Sequence, residues 1–153
     1  MDATQWAGMI AFGGASIACL WIRQWPWNFI GSLNLAMAIE CGLGMRHRAH
    51  NFAIELMGPM YLNRVGLQIA LIGIVAIIVF LSTLFFLYRS YGRAPATAIA
   101  ATGLALALFS IETISLHAFD SFLYQKAGSL IIIGWIWIAL ASITTIEALR
   151  QGF

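Results

Sequence analysis

The chain has 153 residues, 61% of them hydrophobic and only 9% charged, with a mean hydropathy of +0.88, whereas a soluble domain carries roughly a quarter charged residues. This composition excludes an ordinary water-soluble globule and points to one all-α unit, an integral membrane helical bundle with no room for a second domain. The net charge is +2, from eight scattered Lys and Arg against six Asp and Glu, so no nucleic-acid surface is expected.

In chain order, the start MDATQW lacks a basic region, so the first apolar segment, 6–22, is expected to stay rather than be cleaved. As a helix it is about 25 Å long, short for a ~30 Å hydrocarbon core. Its Ala7, Ala11, Ala15 and Cys19 form a small-residue stripe of the kind that lets helices approach closely in lipid. A turn at Arg23-Gln24 follows, with Pro26 suited to the first turn of the next helix and Trp25 and Trp27 to the headgroup level. The second segment, 27–45, contains Asn34 and Glu40 and runs into Arg46-His47-Arg48.

Residues 45–68 are the long interruption in the apolar pattern. They hold three of the eight basic residues and two of the three histidines, with Glu55 and a Gly58-Pro59 break. An interfacial helix over 46–63 is predicted, kept at the surface by Phe52, Ile54, Leu56 and Met57. The third segment, 65–87, is uncharged and ends in an aromatic belt before Arg89. In the fourth, 96–119, Ala96, Ala100, Gly103, Ala107, Ser110, Ile114 and His117 share one seam, which predicts close packing inside the bundle. A polar loop over 120–128 leads to the fifth, 129–149, with Trp135 and Trp137 near mid-membrane and on opposite faces. The expectation is four to five transmembrane helices, with 6–22 and 27–45 the least constrained pair. Cys19 and Cys41 fall near opposite faces and read as packing residues rather than a disulfide.

Five crossings would place the ends of segments two and four, the interfacial stretch and the 120–128 loop on one membrane face. That face then gathers His47, His50 and His117 with Glu40, Glu55, Glu112 and Asp120, and leaves Glu147 opposite. Lys and Arg divide evenly between the two faces, so no orientation follows. Glu112, Glu40 and Asp120 are the polar intramembrane candidates, Glu112 the deepest of them. An ionisable group at depth is either functional or interhelical glue, and both readings stand. His47 and His50 are three residues apart, as are His117 and Asp120, a spacing that suits a divalent metal. Interfacial histidines beside arginine also serve as headgroup contacts. His117 is an axial candidate for a haem or chlorin, for which the small-residue seam leaves space, although ordinary packing explains the same seam. No phosphate-binding glycine loop, nucleophile elbow or CxxC occurs.

The residues Leu43-x-Met45-Arg46, Met60-Tyr61-Leu62-Asn63-Arg64 closing on Gln68, and Ser115-x-His117-x-x-Asp120 resemble a group of small bacterial multi-span membrane proteins of unassigned activity. The resemblance covers about half the chain and implies topology and attention to His117 and Asp120. Met60 stands where that group has tryptophan, and Glu40-Cys41-Gly42 replaces a lysine-containing stretch. Arg48-Ala49-His50-Asn51 and Glu55 also approximate the arginine-alanine-x-x-asparagine-x-x-glutamate motif of the membrane enzymes of eicosanoid and glutathione metabolism. A one-residue slip rotates a helical side chain by about 100 degrees, which breaks the shared face such a site needs.

The leading expectation is a non-catalytic accessory or assembly subunit in a bacterial inner membrane. It would dock on itself or on other membrane subunits, for example of a photosynthetic or respiratory complex. The alternative is a haem-, pigment-, metal- or proton-handling protein using the one-sided His and acid cluster. A glutathione-type membrane enzyme comes third. A transporter is disfavoured, since no inverted repeat or broken mid-span helix is visible.

Overall fold

Asp2 starts the first helix. Its carboxylate accepts from the Gln5 N–H at 2.8 Å, and the Gln5 side-chain oxygen accepts from the Asp2 N–H at 3.0 Å, a reciprocal box that satisfies donors a helix start leaves free. In the computed structural model, which describes residues 2–44, 48, 55, 73, 77, 80, 81, 83–85, 87–114 and 122–152, this box sets α1 as Ala3–Trp21, 19 residues long. The expected segment 6–22 therefore begins three residues early. At about 28 Å, the helix nearly matches a hydrocarbon core.

The turn to α2 (Trp25–Leu43) places Arg23 at φ +57°, beyond the α1 cap Ile22. Pro26 lies in the first turn of α2 as its sequence position predicts. The helix ends at Gly44, whose φ of +61° and N–H to Glu40 O bond of 2.8 Å make a left-handed cap. The helix thus occupies 25–43 rather than 27–45 and stops before the basic cluster. Apart from Arg48 and Glu55, the interfacial stretch 46–63 lies outside the described residues, as does most of 65–87; those two residues and the ones described within 73–91 are helical. Gly92, at φ +90°, then turns the chain into α3 (Arg93–Ile114). That helix starts three residues before the expected 96, and 115–120 lie outside the described residues.

The expected polar loop and the start of the fifth segment need correction. Lys126–Ala127 (β1) and Leu130–Ile131 (β2) form a small antiparallel hairpin, Lys126 opposite Ile131 and Ala127 opposite Leu130. Its two-residue turn is Gly128-Ser129, with φ +74° at the glycine alone, the pattern of a type II′ turn. The last helix, α4 (Ile132–Gly152), consequently begins and ends three residues after the predicted 129–149. Apart from this hairpin the described structure is helical, as expected for the all-α class.

Helix α1 packs along both α2 and α4, α4 also along α3, and α2 touches α3 more lightly. Thr4 meets Gly134 at one end of the α1–α4 pair and Ile22 approaches Gly152 at the other, so these helices run parallel. Gly8 meets Cys41, and Phe109 stacks on Trp137, so α2 and α3 run the opposite way. One end of the bundle therefore carries Asp2, Glu40, Gly44, Glu112 and the hairpin. The other carries Trp21, Arg23, Trp25, Gly92, Arg93 and Arg150.

Among the described residues, three helices, α1, α3 over Arg93–Ser110, and α4, are long and apolar enough to cross a membrane. Helix α2 equals α1 in length but includes Asn28, Asn34 and Glu40 and is not among them. The outward face of α1 is apolar, with Ile10 68% and Ile17 70% exposed, a surface compatible with a membrane bundle and costly in water.

Two buried clusters fill the inside. Phe12, Met37, Cys41, Phe109 and Trp137 make one, and Cys19, Trp27, Ile30, Leu87 and Ala98 belong to the other. The two cysteines are buried and assigned to different clusters, consistent with their reading as packing residues. The small-residue stripes are partly rotated from expectation. On α1 the buried line is Thr4, Gly8, Phe12, Ala15, Ser16 and Cys19, leaving Ala7 and Ala11 half-buried. On α3 it includes Ala98, Ala101, Thr102, Ala105, Phe109 and Glu112; of the expected seam Ala96 is buried, while Ala107 and Ser110 are exposed.

Candidate functional site

Three of the buried polar side chains meet at the middle of the bundle. Asn34, at the centre of α2, donates from Nδ2 to Thr102 Oγ1 on α3 at 3.0 Å and to Ile30 O at 2.9 Å. Thr102 Oγ1 in turn lies 3.5 Å from Thr144 Oγ1 on α4, and Thr144 donates to Leu140 O at 3.2 Å and reaches Ala98 O at 3.5 Å. All three side chains are fully or almost fully buried. A helical Thr returning its hydroxyl to a carbonyl one turn back satisfies its donor locally. Asn34 satisfies one amide hydrogen in the same way, on Ile30 O, and its second crosses to Thr102 on α3. Its Oδ1 has no partner among the described residues. The contact links three helices and is chemically neutral, with neither a nucleophile paired to a base nor a charge.

The second polar feature sits at the hairpin end. Glu112, near the C-terminus of α3, is only 9% exposed and accepts a hydrogen bond from the Tyr124 hydroxyl at 3.0 Å. At 1.5 Å per residue it lies about 15 Å along the axis from Thr102, close to the edge of a ~30 Å core centred there. Glu40 is half-buried at the same end of the bundle, about 9 Å beyond Asn34. The carboxyl of Glu112 is thus tied to the chain leading into the hairpin, an arrangement that fixes the α3 end to the start of β1 and keeps an ionisable group beside an exposed phenol.

The other sequence candidates, His47, His50, His117 and Asp120, lie outside the described residues, so the one-sided His and acid cluster is represented by Glu40, Glu55 and Glu112 alone. Among the described residues no three His, Cys, Asp or Glu side chains are grouped to share a metal ion. Trp135 and Trp137 do face apart. Trp137 is buried, stacked on Phe109 at 5.1 Å and near Phe12 at 6.5 Å. Trp135 is 47% exposed and donates from Nε1 to Ala127 O at 2.8 Å, which draws it to the hairpin rather than mid-membrane.

Sequence reasoning noted Asn34 but missed its partners. Thr102 and Thr144 look like ordinary helical threonines; a usable signal was that each falls near the midpoint of its apolar segment, level with Asn34 when the helices are laid side by side. The hairpin also had a signal in Gly128-Ser129, a two-residue turn pair between short segments. Searches of protein-family models, of curated proteins and of solved structures each found no match to this chain.

Proposed function

We propose that this chain is a non-catalytic accessory or assembly subunit, crossing a bacterial inner membrane five times and docking on other membrane subunits. The observation that carries this reading is the use of the mid-bundle polar groups. Asn34, Thr102 and Thr144 bond to one another and to helix carbonyls, which is how polar side chains hold helices together where lipid offers them no partner. Five crossings agree with the helix directions. Gly44 and Gly92 stand at opposite ends of the bundle, so the chain between them makes a net passage from one end to the other.

The test is purification from the native membrane in mild detergent, with an absorption spectrum and mass spectrometry of what is retained. A colourless chain in stoichiometric association with larger membrane subunits is expected. A Soret or chlorin band that stays with the isolated chain and is lost in His117→Ala would replace this reading with a cofactor-binding one.

The burial of Glu112 favours a second reading, a proton- or ion-handling protein using Glu112, Glu40, Asp120, His47 and His117. Glu112→Gln keeps the shape and removes the ionisable group. The accessory role predicts unchanged assembly and unchanged function of the host complex. Preserved assembly with lost proton or ion movement would select the second reading.

A further inference from the structure

Helix α3 and the helical residues before it form a hairpin of helices closed at both ends but open between them. At the upper end Gly92, whose N–H reaches Tyr88 O at 3.1 Å, turns the chain tightly into α3. At the lower end Phe80 lies against Gly103, so closely that a Cβ there would collide with the ring. Between these contacts Ala96 and Ala100 offer only methyl groups to Leu84 and Phe85, and an open groove of about 490 Å³ remains, within the ~300–1,000 Å³ typical of ligand sites. Its walls are apolar except for Thr97 and for Tyr88 and Arg93 at one end, where the exposed Arg89 follows Tyr88.

Length and polarity identify the occupant. From Arg93 to Ala100 the groove runs about 10 Å along α3, within the ~15 Å half-thickness of a hydrocarbon core. A slot that stays within one leaflet, apolar along most of its length and cationic at its outer end, matches the upper part of a phospholipid acyl chain below an anionic headgroup. Arginine suits that end because its guanidinium binds phosphate oxygens in a forked pair of hydrogen bonds. We propose that this groove is a binding site for an anionic phospholipid, with one acyl chain along Ala96 and Ala100 and the phosphate at Arg93. The site rests on membrane placement of the bundle and does not depend on the accessory role, so failure of either leaves the other testable.

The experiment is native mass spectrometry of the full chain in detergent, titrated with phosphatidylglycerol and, separately, with phosphatidylcholine of the same acyl chains. The wild type should prefer phosphatidylglycerol by roughly fivefold, the scale of one basic residue acting on an anionic lipid. Arg93→Gln should reduce that preference to near unity, Lys126→Gln at the opposite end should leave it intact, and Ala100→Phe, which fills the groove, should abolish the first adduct of both lipids. Arg93 is exposed, so its variant keeps the fold and decides the matter even if Ala100→Phe does not assemble. Equal affinity for the two lipids in the wild type, an unchanged preference in Arg93→Gln, or a polypeptide held in the groove in place of lipid would each overturn the proposal.

Discussion

Small residues line both the α1–α2–α4 interface and the face that α3 turns toward residues 80–88, yet they do opposite things in the two places. At Gly8 an added Cβ would stand 2.8 Å from both Cys41 Sγ and Trp137 Cε3, and at Gly134 it would stand 2.7 Å from Thr4 Cγ2. There the missing side chains are filled by neighbours from the facing helices. On α3, Gly103 receives Phe80 in the same way, but Ala100 and Ala96, one and two turns earlier, line an open groove, Ala100 half-buried and Ala96 buried. A small residue in an apolar helix therefore permits approach without producing it; the residue opposite decides whether the space closes into an interface or remains a groove.

The strongest way to break this contrast is Gly8→Leu. The Trp137 ring is buried and stacked on Phe109, so it has nowhere to move, whereas Cys41 has only a single-atom rotor. Overpacking on this scale costs about 1–3 kcal/mol or more, and replacing a helical glycine returns up to about 1 kcal/mol of helix propensity. A net loss of about 2 kcal/mol is expected in reversible unfolding of the purified chain in detergent. Stability within about 0.5 kcal/mol of wild type would show that the α1–α2–α4 interface is not closed at Gly8.

The next test concerns the polar contact that joins the closed side of the bundle to α3. Asn34→Ala should cost about 1–2 kcal/mol, from a lost interhelical hydrogen bond and the space left behind. Thr102→Val, which keeps the shape and removes the hydroxyl, should cost less, because Thr144 retains its bonds to its own helix. In the double mutant the coupling between Asn34 and Thr102 should be about 0.6 kcal/mol, the average for such bonds within membranes. Additive losses would mean that the two side chains are neighbours without a bond that matters.

Much of the frame was legible in the sequence. Apolar runs bounded by Trp, Arg and Pro locate both ends of α1, α2 and α4 and the start of α3 to within three residues, since burial in lipid or protein requires long uncharged stretches. The boundary errors came from chemistry finer than hydropathy, namely the Asp2–Gln5 box, the Gly44 cap and the Gly128-Ser129 turn. The faces were harder to read. Helix periodicity says which residues share a stripe, but in a chain that is apolar all round it does not say which stripe is turned inward. Thus Ala107 and Ser110 are exposed while Ala98 and Ala105 are buried, although both sets have the right spacing. The candidate site was half visible: Glu112 and Asn34 stood out as polar groups in apolar segments, but Tyr124, Thr102 and Thr144 became their partners only through tertiary packing.

The smallest expected effect completes the contrast. Ala100→Leu introduces more atoms than Gly8→Ala would, and on residue volume alone it should be the more damaging change. Its side chain, however, would extend into the groove between α3 and Phe85, where it meets no filled wall, and leucine is nearly as good a helix former as alanine. Contacts with Leu84 and Phe85 should offset its loss of rotamer freedom, giving a stability within about 0.5 kcal/mol of wild type. The same unfolding measurement used for Gly8→Leu checks this. A loss comparable to that of Gly8→Leu would mean that the α3 face is as tightly filled as the α1–α2–α4 interface, and the distinction between a closed seam and an open groove would collapse.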